Sequence, residues 1–249
     1  MFHLDRIDEM TLLRMRHGPV NAMDLEFCRE FLYVLSDLEN SDTAGVLLTG
    51  NDRVFSAGVD LKRWLREDDE YVEPFLDALD NLFGQAFRFG KPLVAVINSH
   101  AIAGGCMLAN AADYRVIAPH AKIGIPEMRI GVPLPMTAIE IMRFVARRDA
   151  FPRIVNVGAT FVGDEAVAVG LADEVVSEEA MMEVGLQRLR ELTAIPPPAF
   201  QLTKRQIRDP IWRQVEQNRI TWQKRFIEVW QSPATREAVR RYVEERLSK

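Results

Sequence analysis

Three short stretches carry residue types that could do chemistry together. Phe55-Ser56-Ala57-Gly58-Val59-Asp60-Leu61 and Ala101-Ile102-Ala103-Gly104-Gly105-Cys106-Met107 each set glycine among small residues, and Pro126-Glu127 follows the second. Glycine lets a ligand oxygen come close to backbone N–H groups. Two such groups aimed at one point form an oxyanion hole, and a carboxylate beside them can move a proton. Each stretch alone has a plainer reading, because glycines mark turns and a lone glutamate is usually a surface group. The glycines do not form a GxGxxG fingerprint, so a dinucleotide is not implied. No GxSxG elbow surrounds Ser99-His100, which removes the main ground for a serine nucleophile there. Neither CxxC nor HExxH occurs and the four histidines are scattered, so no metal site is expected. Cys106 reads as a small buried hydrophobe.

The elements that must position these stretches alternate. Met10–Met15, 45–50, 93–97 and 114–118 read as short strands, the middle two as buried apolar runs. From Asp24 to Leu38, apolar residues recur at Leu25, Cys28, Phe31, Leu32, Leu35 and Leu38, the spacing of an amphipathic helix with Asp24 as its N-cap. A helix is expected to begin near Asp60. Glu67-Asp68-Asp69-Glu70 reads as a solvated mobile segment, with a longer helix from Pro74 to Phe89. Gly104-Gly105 opens another helix, Gly163 to Gly170 forms a small helical unit, and 171–176 resembles a last strand. Strand and helix in alternation argue for an α/β layer fold with crossovers. Pro196-Pro197-Pro198 reads as a linker before three further helices, in which Trp212, Trp222, Phe226 and Trp230 form a packing stripe that could double as a subunit contact. Asn98 is expected to hold a turn, and Asp60 and Asp113 to cap or pair with arginine.

Composition bounds the reading. The chain has 249 residues, 48% hydrophobic and 27% charged, enough for one well-packed core. With 31 basic and 36 acidic residues, its net charge of −5 gives no global footprint for nucleic acid. Two cysteines do not make a disulfide framework, and a cytoplasmic location is the default expectation. The first residues do not read as a signal peptide, and no apolar run is long enough for a membrane span.

In this order and spacing the segments resemble the crotonase superfamily, the enoyl-CoA hydratase/isomerase group, over essentially the whole chain. The match is densest from Pro19 to Leu61 and from Lys91 to Pro135. Residues 55–61 resemble the family's first oxyanion segment; Pro92 to Asn98 followed by Ala103 to Cys106 resembles the second. Asp113-Tyr114-Arg115 and Gly163 to Ala172 fit as well. The resemblance implies a crotonase-like spiral of ββα repeats in residues 1–194 and a C-terminal helical trimerisation region in 195–249. It implies an acyl-CoA thioester as partner, a homotrimer or dimer of trimers, and no cofactor beyond the coenzyme A of the substrate. The oxyanion donors would be the N–H groups of Val59 and Gly104, the latter at a helix N-terminus. Coenzyme A would run along Ser56, Ala57, Gly58, Asp60 and Leu61, and His100, Met107 and Val132 would line the acyl pocket. Lys62 and Arg63 read as a solvated helix face, or else as phosphate contacts.

Met107 is the informative departure. Hydratases of this group carry a first catalytic glutamate at this position, and methionine can neither accept a proton nor hold a water. Glu127 matches the second. A single glutamate resembles the mitochondrial type of Δ3,Δ2-enoyl-CoA isomerase. Ala103 to Ala109, Gly131-Val132-Pro133-Leu134-Pro135 and Val20 to Phe27 lean the same way, while Ser99 and His100 depart from it. The expected function is therefore acyl-CoA double-bond isomerisation with Glu127 as sole acid/base. The alternatives are a hydratase or another acyl-CoA lyase or hydrolase on this scaffold, and a non-catalytic acyl-CoA-binding scaffold.

Overall fold

A computed structural model describes residues 1–246. In chain order the elements are β1 (Phe2–Ile7), β2 (Met10–Met15), β3 (Ala22–Met23), α1 (Leu25–Asn40), β4 (Val46–Thr49), β5 (Gly58–Val59), α2 (Leu61–Trp64) and α3 (Asp69–Arg88). Next come β6 (Leu93–Ile97), β7 (Ala101–Ile102), α4 (Gly104–Asn110), β8 (Tyr114–Ile117), β9 (Lys122–Gly124) and a 3₁₀ turn (Pro126–Ile130). The chain continues with α5 (Met136–Val145), α6 (Phe151–Val155), β10 (Thr160–Val162), α7 (Asp164–Ala168), β11 (Glu174–Val175), α8 (Met181–Thr193), α9 (Pro197–Gln231) and α10 (Pro233–Arg246).

The spiral follows from strand pairing. Strands β2, β4, β6 and β8 lie side by side and parallel, so each turn of the chain adds one strand; Leu12 faces Leu47, Leu47 faces Val94, and Val94 faces Tyr114. Parallel neighbours need a crossover, and each turn supplies a short second strand and a helix. The second strands pair among themselves, β3 with β5 and β7 with β9, and a bridge between Ser56 and Ala101 joins the two pairs. β4 and β6 are buried along their whole length, as strands covered on both faces must be. β1, not anticipated from the sequence, closes the free edge by pairing antiparallel with β2. Its apolar residues are half-buried at Phe2 and Ile7 and exposed at Leu4, which gives little signal of burial.

Local chemistry sets the helix ends. The Asp24 carboxylate accepts from Phe27 N at 2.8 Å, and α1 buries Phe27, Cys28, Phe31, Leu35 and Leu38. The acidic segment at 67–70 is not a mobile linker. Asp68 caps α3 by accepting from Glu70 N and Tyr71 N, and Asp69 and Glu70 fill the first turn, where the helix dipole favours negative charge. Pro74 accordingly lies inside the helix rather than at its start. The three prolines likewise begin a helix: Pro196 caps α9 and Pro197 opens its first turn, where a missing N–H costs nothing. Among the described residues two helices follow, not three, because 197–231 runs unbroken.

α9 packs across α3 and α5, and Phe226, Trp230, Val239 and Val243 join the same core as the sheet. Its first half docks through charge. Lys204 Nζ lies 2.6 Å and Arg208 Nη2 2.8 Å from the carboxylate of Asp113, which also accepts from Leu93 N. Both cations are buried, Lys204 at 7% and Arg208 at 6% exposure. Burial pulls the Lys204 ammonium down to about 8 against the pull of Asp113. Removing one partner of a buried charge cluster leaves the others unpaired in low dielectric. Asp113→Ala is expected to lower stability by about 3–5 kcal/mol, measured by urea unfolding; a change under about 1 kcal/mol would show that α9 docks by other means.

Candidate active site

Val59 and Gly104 come together because two backbones touch with no side chain between them. A Cβ on Gly58, which sits at φ +83°, would lie 2.6 Å from Ala103 Cβ and 2.9 Å from Gly104 N. A Cβ on Gly105 would meet Ser56 O at 2.4 Å. Only glycine permits this approach at these two positions.

Asp60 N donates to Met23 O on β3 at 2.9 Å. Alternate N–H groups in a parallel ladder point to opposite sides, so that of Val59 faces away from β3. Gly104 is the first residue of α4, whose first N–H groups have no acceptor within the helix. Ala103, just before it, is held at φ 57° and ψ −125°, a region that a residue with a Cβ rarely enters. Its N–H donates to Gly124 O and its carbonyl accepts from Met107 N, so both sides of the strained residue are tied down.

A cavity of about 660 Å³ opens in front of these segments. Gly18, Pro19, Val20 and Lys62 form an exposed rim, and Leu79, Phe83, Met107, Val132 and Trp230 form a buried apolar interior. Glu127 lies on this inner wall, in the 3₁₀ turn, only 9% exposed. Val132 N donates to its carbonyl at 3.0 Å, and Gly131 ends the turn in the left-handed conformation. Its Oε2 is buried and has no hydrogen-bond partner among the described residues. Burial in these apolar surroundings pushes its carboxyl up to about 8, against a smaller opposing pull from its own N–H. The neighbouring Cys106 thiol is pushed far higher by burial, and both cysteines are buried and free. Among the described residues lining the cavity the carboxylates are Glu127 and Asp60, and Asp60 caps α2 by accepting from Arg63 N. Two amides and one uncommitted carboxyl can therefore hold developing negative charge and shuttle a proton in a largely dry space.

Of the residues singled out from the sequence, Ala57, Val59, Asp60, Leu61, Gly104, Met107, Glu127 and Val132 line this one cavity. Others take different places. His100 is exposed outside the cavity; immediately before β7 its carbonyl accepts from Phe55 N and Ser56 N, while its Nδ1 accepts from Lys122 N and its ring faces His120. Ser56 is fully buried and does not line the cavity. Its hydroxyl donates to Asn21 O at 2.8 Å and accepts from Gly58 N at 3.1 Å, filling the gap that the bend at Gly58 leaves in the ladder. Gly58 is buried behind the wall for the same reason. Arg63 turns from the cavity to Asp24, Glu26 and Glu67. Asn98 holds its turn by accepting from Gly50 N, and Asp113 is paired as expected. The C-terminal aromatic stripe reads from the sequence as packing that could double as a subunit contact; Trp230 of that stripe and Tyr242 beyond it also line the cavity, a role that aromatic spacing along a helix does not distinguish from core.

The family model for enoyl-CoA hydratase/isomerase matches residues 6–249. The human protein named enoyl-CoA delta isomerase 1, mitochondrial, is 33% identical over 204 residues, 80% of this chain and 67% of that protein. The rat protein of the same name is 31% identical over 80% of this chain and 70% of its own length. Among solved structures, human mitochondrial Δ3-Δ2-enoyl-CoA isomerase superposes with a TM-score of 0.93 at 28% identity, covering 98% of this chain and 97% of that one. An enoyl-CoA hydratase from Mycobacterium ulcerans reaches 0.82 at 25% identity, covering 86% and 94%.

Two outcomes follow from the geometry. Glu127 keeps its proton in the folded chain between its ordinary value of 4.5 and about 8, while the unfolded chain has already lost it. Stability from this group is therefore complete below about pH 4.5 and is lost as pH rises through about 8. Glu127→Gln should match the parent in thermal midpoint near pH 4 and exceed it by several degrees at pH 9; equal midpoints at both values would refute the buried, raised carboxyl. Gly58→Ala should cost about 1–3 kcal/mol of stability by overpacking and, by parting the two amides, lower turnover by about 10²–10³; steady-state kinetics beside thermal unfolding separates the two effects.

Proposed function

This chain belongs to the enoyl-CoA hydratase/isomerase family, and within it we propose that it shifts a double bond in an acyl-CoA, converting a 3-enoyl thioester to the 2-trans-enoyl thioester. One observation carries this reading: Glu127 is the uncommitted carboxyl of the cavity, and methionine occupies position 107 of the same wall. The C2 proton of a 3-enoyl thioester is acidified by both the carbonyl and the alkene. Glu127 takes it as general base, and the electron pair delocalises onto the thioester oxygen between the N–H groups of Val59 and Gly104. The protonated carboxyl then returns the same proton at C4, leaving the alkene between C2 and C3. Removal and return on one face need one acid/base, whereas adding water to C3 requires a second group to orient that water.

The division of labour agrees with known magnitudes. One oxyanion donor is worth roughly 3–4 kcal/mol and a placed acid/base about 10²–10⁴ in rate. A carboxyl raised toward neutrality is matched to taking a weakly acidic carbon proton and then giving it back. Ala57, Asp60 and Leu61 along the wall, with Lys62 on the rim, suit the coenzyme A half of the substrate. The homotrimer implied by the resemblance is part of the same reading; Ile220 and Trp222, 88% and 53% exposed on α9, supply apolar surface in the region expected to mediate it.

Purified protein given 3-hexenoyl-CoA and, separately, 2-hexenoyl-CoA tests the proposal. Expected is conjugated product from the first and little 3-hydroxyacyl-CoA from the second, with Glu127→Ala lowering isomerisation by at least about 10². Hydration as fast as isomerisation would favour a hydratase, and tight acyl-CoA binding without turnover would favour a scaffold. Because the base must be ionised, kcat/KM should climb with pH along a limb centred near 8 rather than near 4.5.

A further inference from the structure

The proposed chemistry uses two sides of one cavity that are distant in sequence: Val59 ahead of α2, and Glu127 in the 3₁₀ turn. Trp230, near the end of α9, touches structure attached to both. Its ring stands edge-on to that of Trp64, with centroids 5.4 Å apart and planes at 79°. Trp64 is the last residue of α2, five residues after Val59, and is 1% exposed. On the other side, Trp230 Nε1 donates to Pro133 O at 3.3 Å. Pro133 follows Val132, whose N–H is bonded to the carbonyl of Glu127. Trp230 is itself 3% exposed and lines the cavity.

The corner that carries Trp230 is latched from α10. Arg236 places its guanidinium 5.0 Å from the Trp64 ring centroid, donates to Glu67 O at 3.1 Å and pairs with Asp69 at 3.1 Å. Gln231 Nε2 donates to Asp69 O at 3.2 Å. Trp64 thus contacts both a cation from α10 and an indole from α9, which ties α2 to the α9–α10 corner.

We propose that Trp230 is a positioning residue that cross-braces the donor side of the site to the base side, with Trp64 and Arg236 completing the brace. This rests on the isomerase reading for its choice of substrate, but not for its geometry. Proton transfer and oxyanion binding depend on separations that a displacement of about 1 Å degrades by as much as 10²-fold in rate, while the binding of a long flexible thioester is far less sensitive. The brace therefore acts on turnover more than on affinity. It gives the C-terminal helices a task inside their own subunit's site.

The test uses the full-length chain. Trp230→Phe keeps a ring against Trp64 and removes the donation to Pro133; Trp230→Leu removes both; Trp64→Phe alters the other end. Kinetics are read with six- and twelve-carbon 3-enoyl-CoA, alongside thermal unfolding. A second readout needs no turnover: acetoacetyl-CoA is titrated in, and the absorbance of its bound enolate reports how well the two amides and the carboxyl surround one anion. Expected for Trp230→Phe is a roughly tenfold fall in kcat for both chain lengths, KM within about twofold, and a weaker enolate band at unchanged acetoacetyl-CoA affinity. Trp230→Leu should fall further, and Trp64→Phe should share the kcat-selective pattern. Full kcat and a full enolate band in Trp230→Phe would overturn the brace and leave the isomerase reading standing, as would a loss confined to KM for the longer chain or one matching the unfolded fraction. Conversely, a wild-type protein that forms the enolate band but does not isomerise would overturn the isomerase reading, and the band in the variants would still decide the brace.

Discussion

The site rests on a contact between two stretches of backbone that leaves no room for a Cβ. Gly58 lies against Ala103 and Gly104, and Gly105 lies against the carbonyl of Ser56. Such an approach brings two amide N–H groups to one small region, and neighbouring elements exist largely to hold it. Ser56 Oγ repairs the ladder where β5 bends, and Ala103 is tied at both ends. Ala103 is the tightest point. The matching turn one repeat later, before α7, has nearly the same backbone angles, φ 49° and ψ −119°, but there the residue is Gly163. At position 103 a Cβ is carried through the same conformation at φ 57°, which costs on the order of 1–3 kcal/mol. The strain falls next to the candidate donor at Gly104 rather than at the repeat without one. α4 has only seven residues, so direct donation from its first N–H matters more here than a summed dipole.

The carboxyl presents the opposite problem. Amides need no solvent to stay neutral, but as the proposed base Glu127 must ionise where little stabilises its charge. No cation contributes to its titration, and one oxygen lacks a partner among the described residues. A structural carboxylate in this chain is treated otherwise. Asp113 has two cations and a backbone donor, and Asp24 accepts from Phe27 N, His17 and Arg63. The contrast is the one expected between a carboxylate that holds structure and the base proposed for the reaction: the first is saturated with partners, the second is left poised between its two protonation states.

The parts of this arrangement legible in the sequence were those governed by local rules. Buried strands announce themselves as short apolar runs between glycines, α1 by its spacing and cap, and the donor segments by glycine among small residues. The misread parts were decided by partners elsewhere in the chain. Residues 67–70 look like a solvated charge run until Asp68 is seen capping α3. Three prolines look like a linker, although their ring constraint also suits a helix start. Ser56 and His100 lie next to segments that line the cavity, but a side chain in an extended segment can point either way, and both point elsewhere. Trp230 was visible as an aromatic in a helical stripe; its reach to Pro133 and Trp64 is a tertiary fact with no local signature.

That reach depends on where α9 lies along the body of the protein, and its apolar residues specify this poorly. Over 35 residues it buries only Val215, Phe226 and Trp230 among its hydrophobic side chains. A helix with so sparse an apolar stripe could slide by a turn, about 5.4 Å, at little hydrophobic cost. Directed polar contacts remove that freedom at intervals: Lys204 and Arg208 on Asp113, Asn218 on Glu140, Arg219 on Asp80 and Gln223 on Asp77. Asp80 also accepts from Thr137 N at the start of α5, so the same carboxylate ties three helices. Buried ion pairs contribute little net stability once desolvation is counted, but a shifted register would strand each charge without its partner. The polar seam thus acts on register more than on stability, and register is what delivers the indole of Trp230 to the cavity wall.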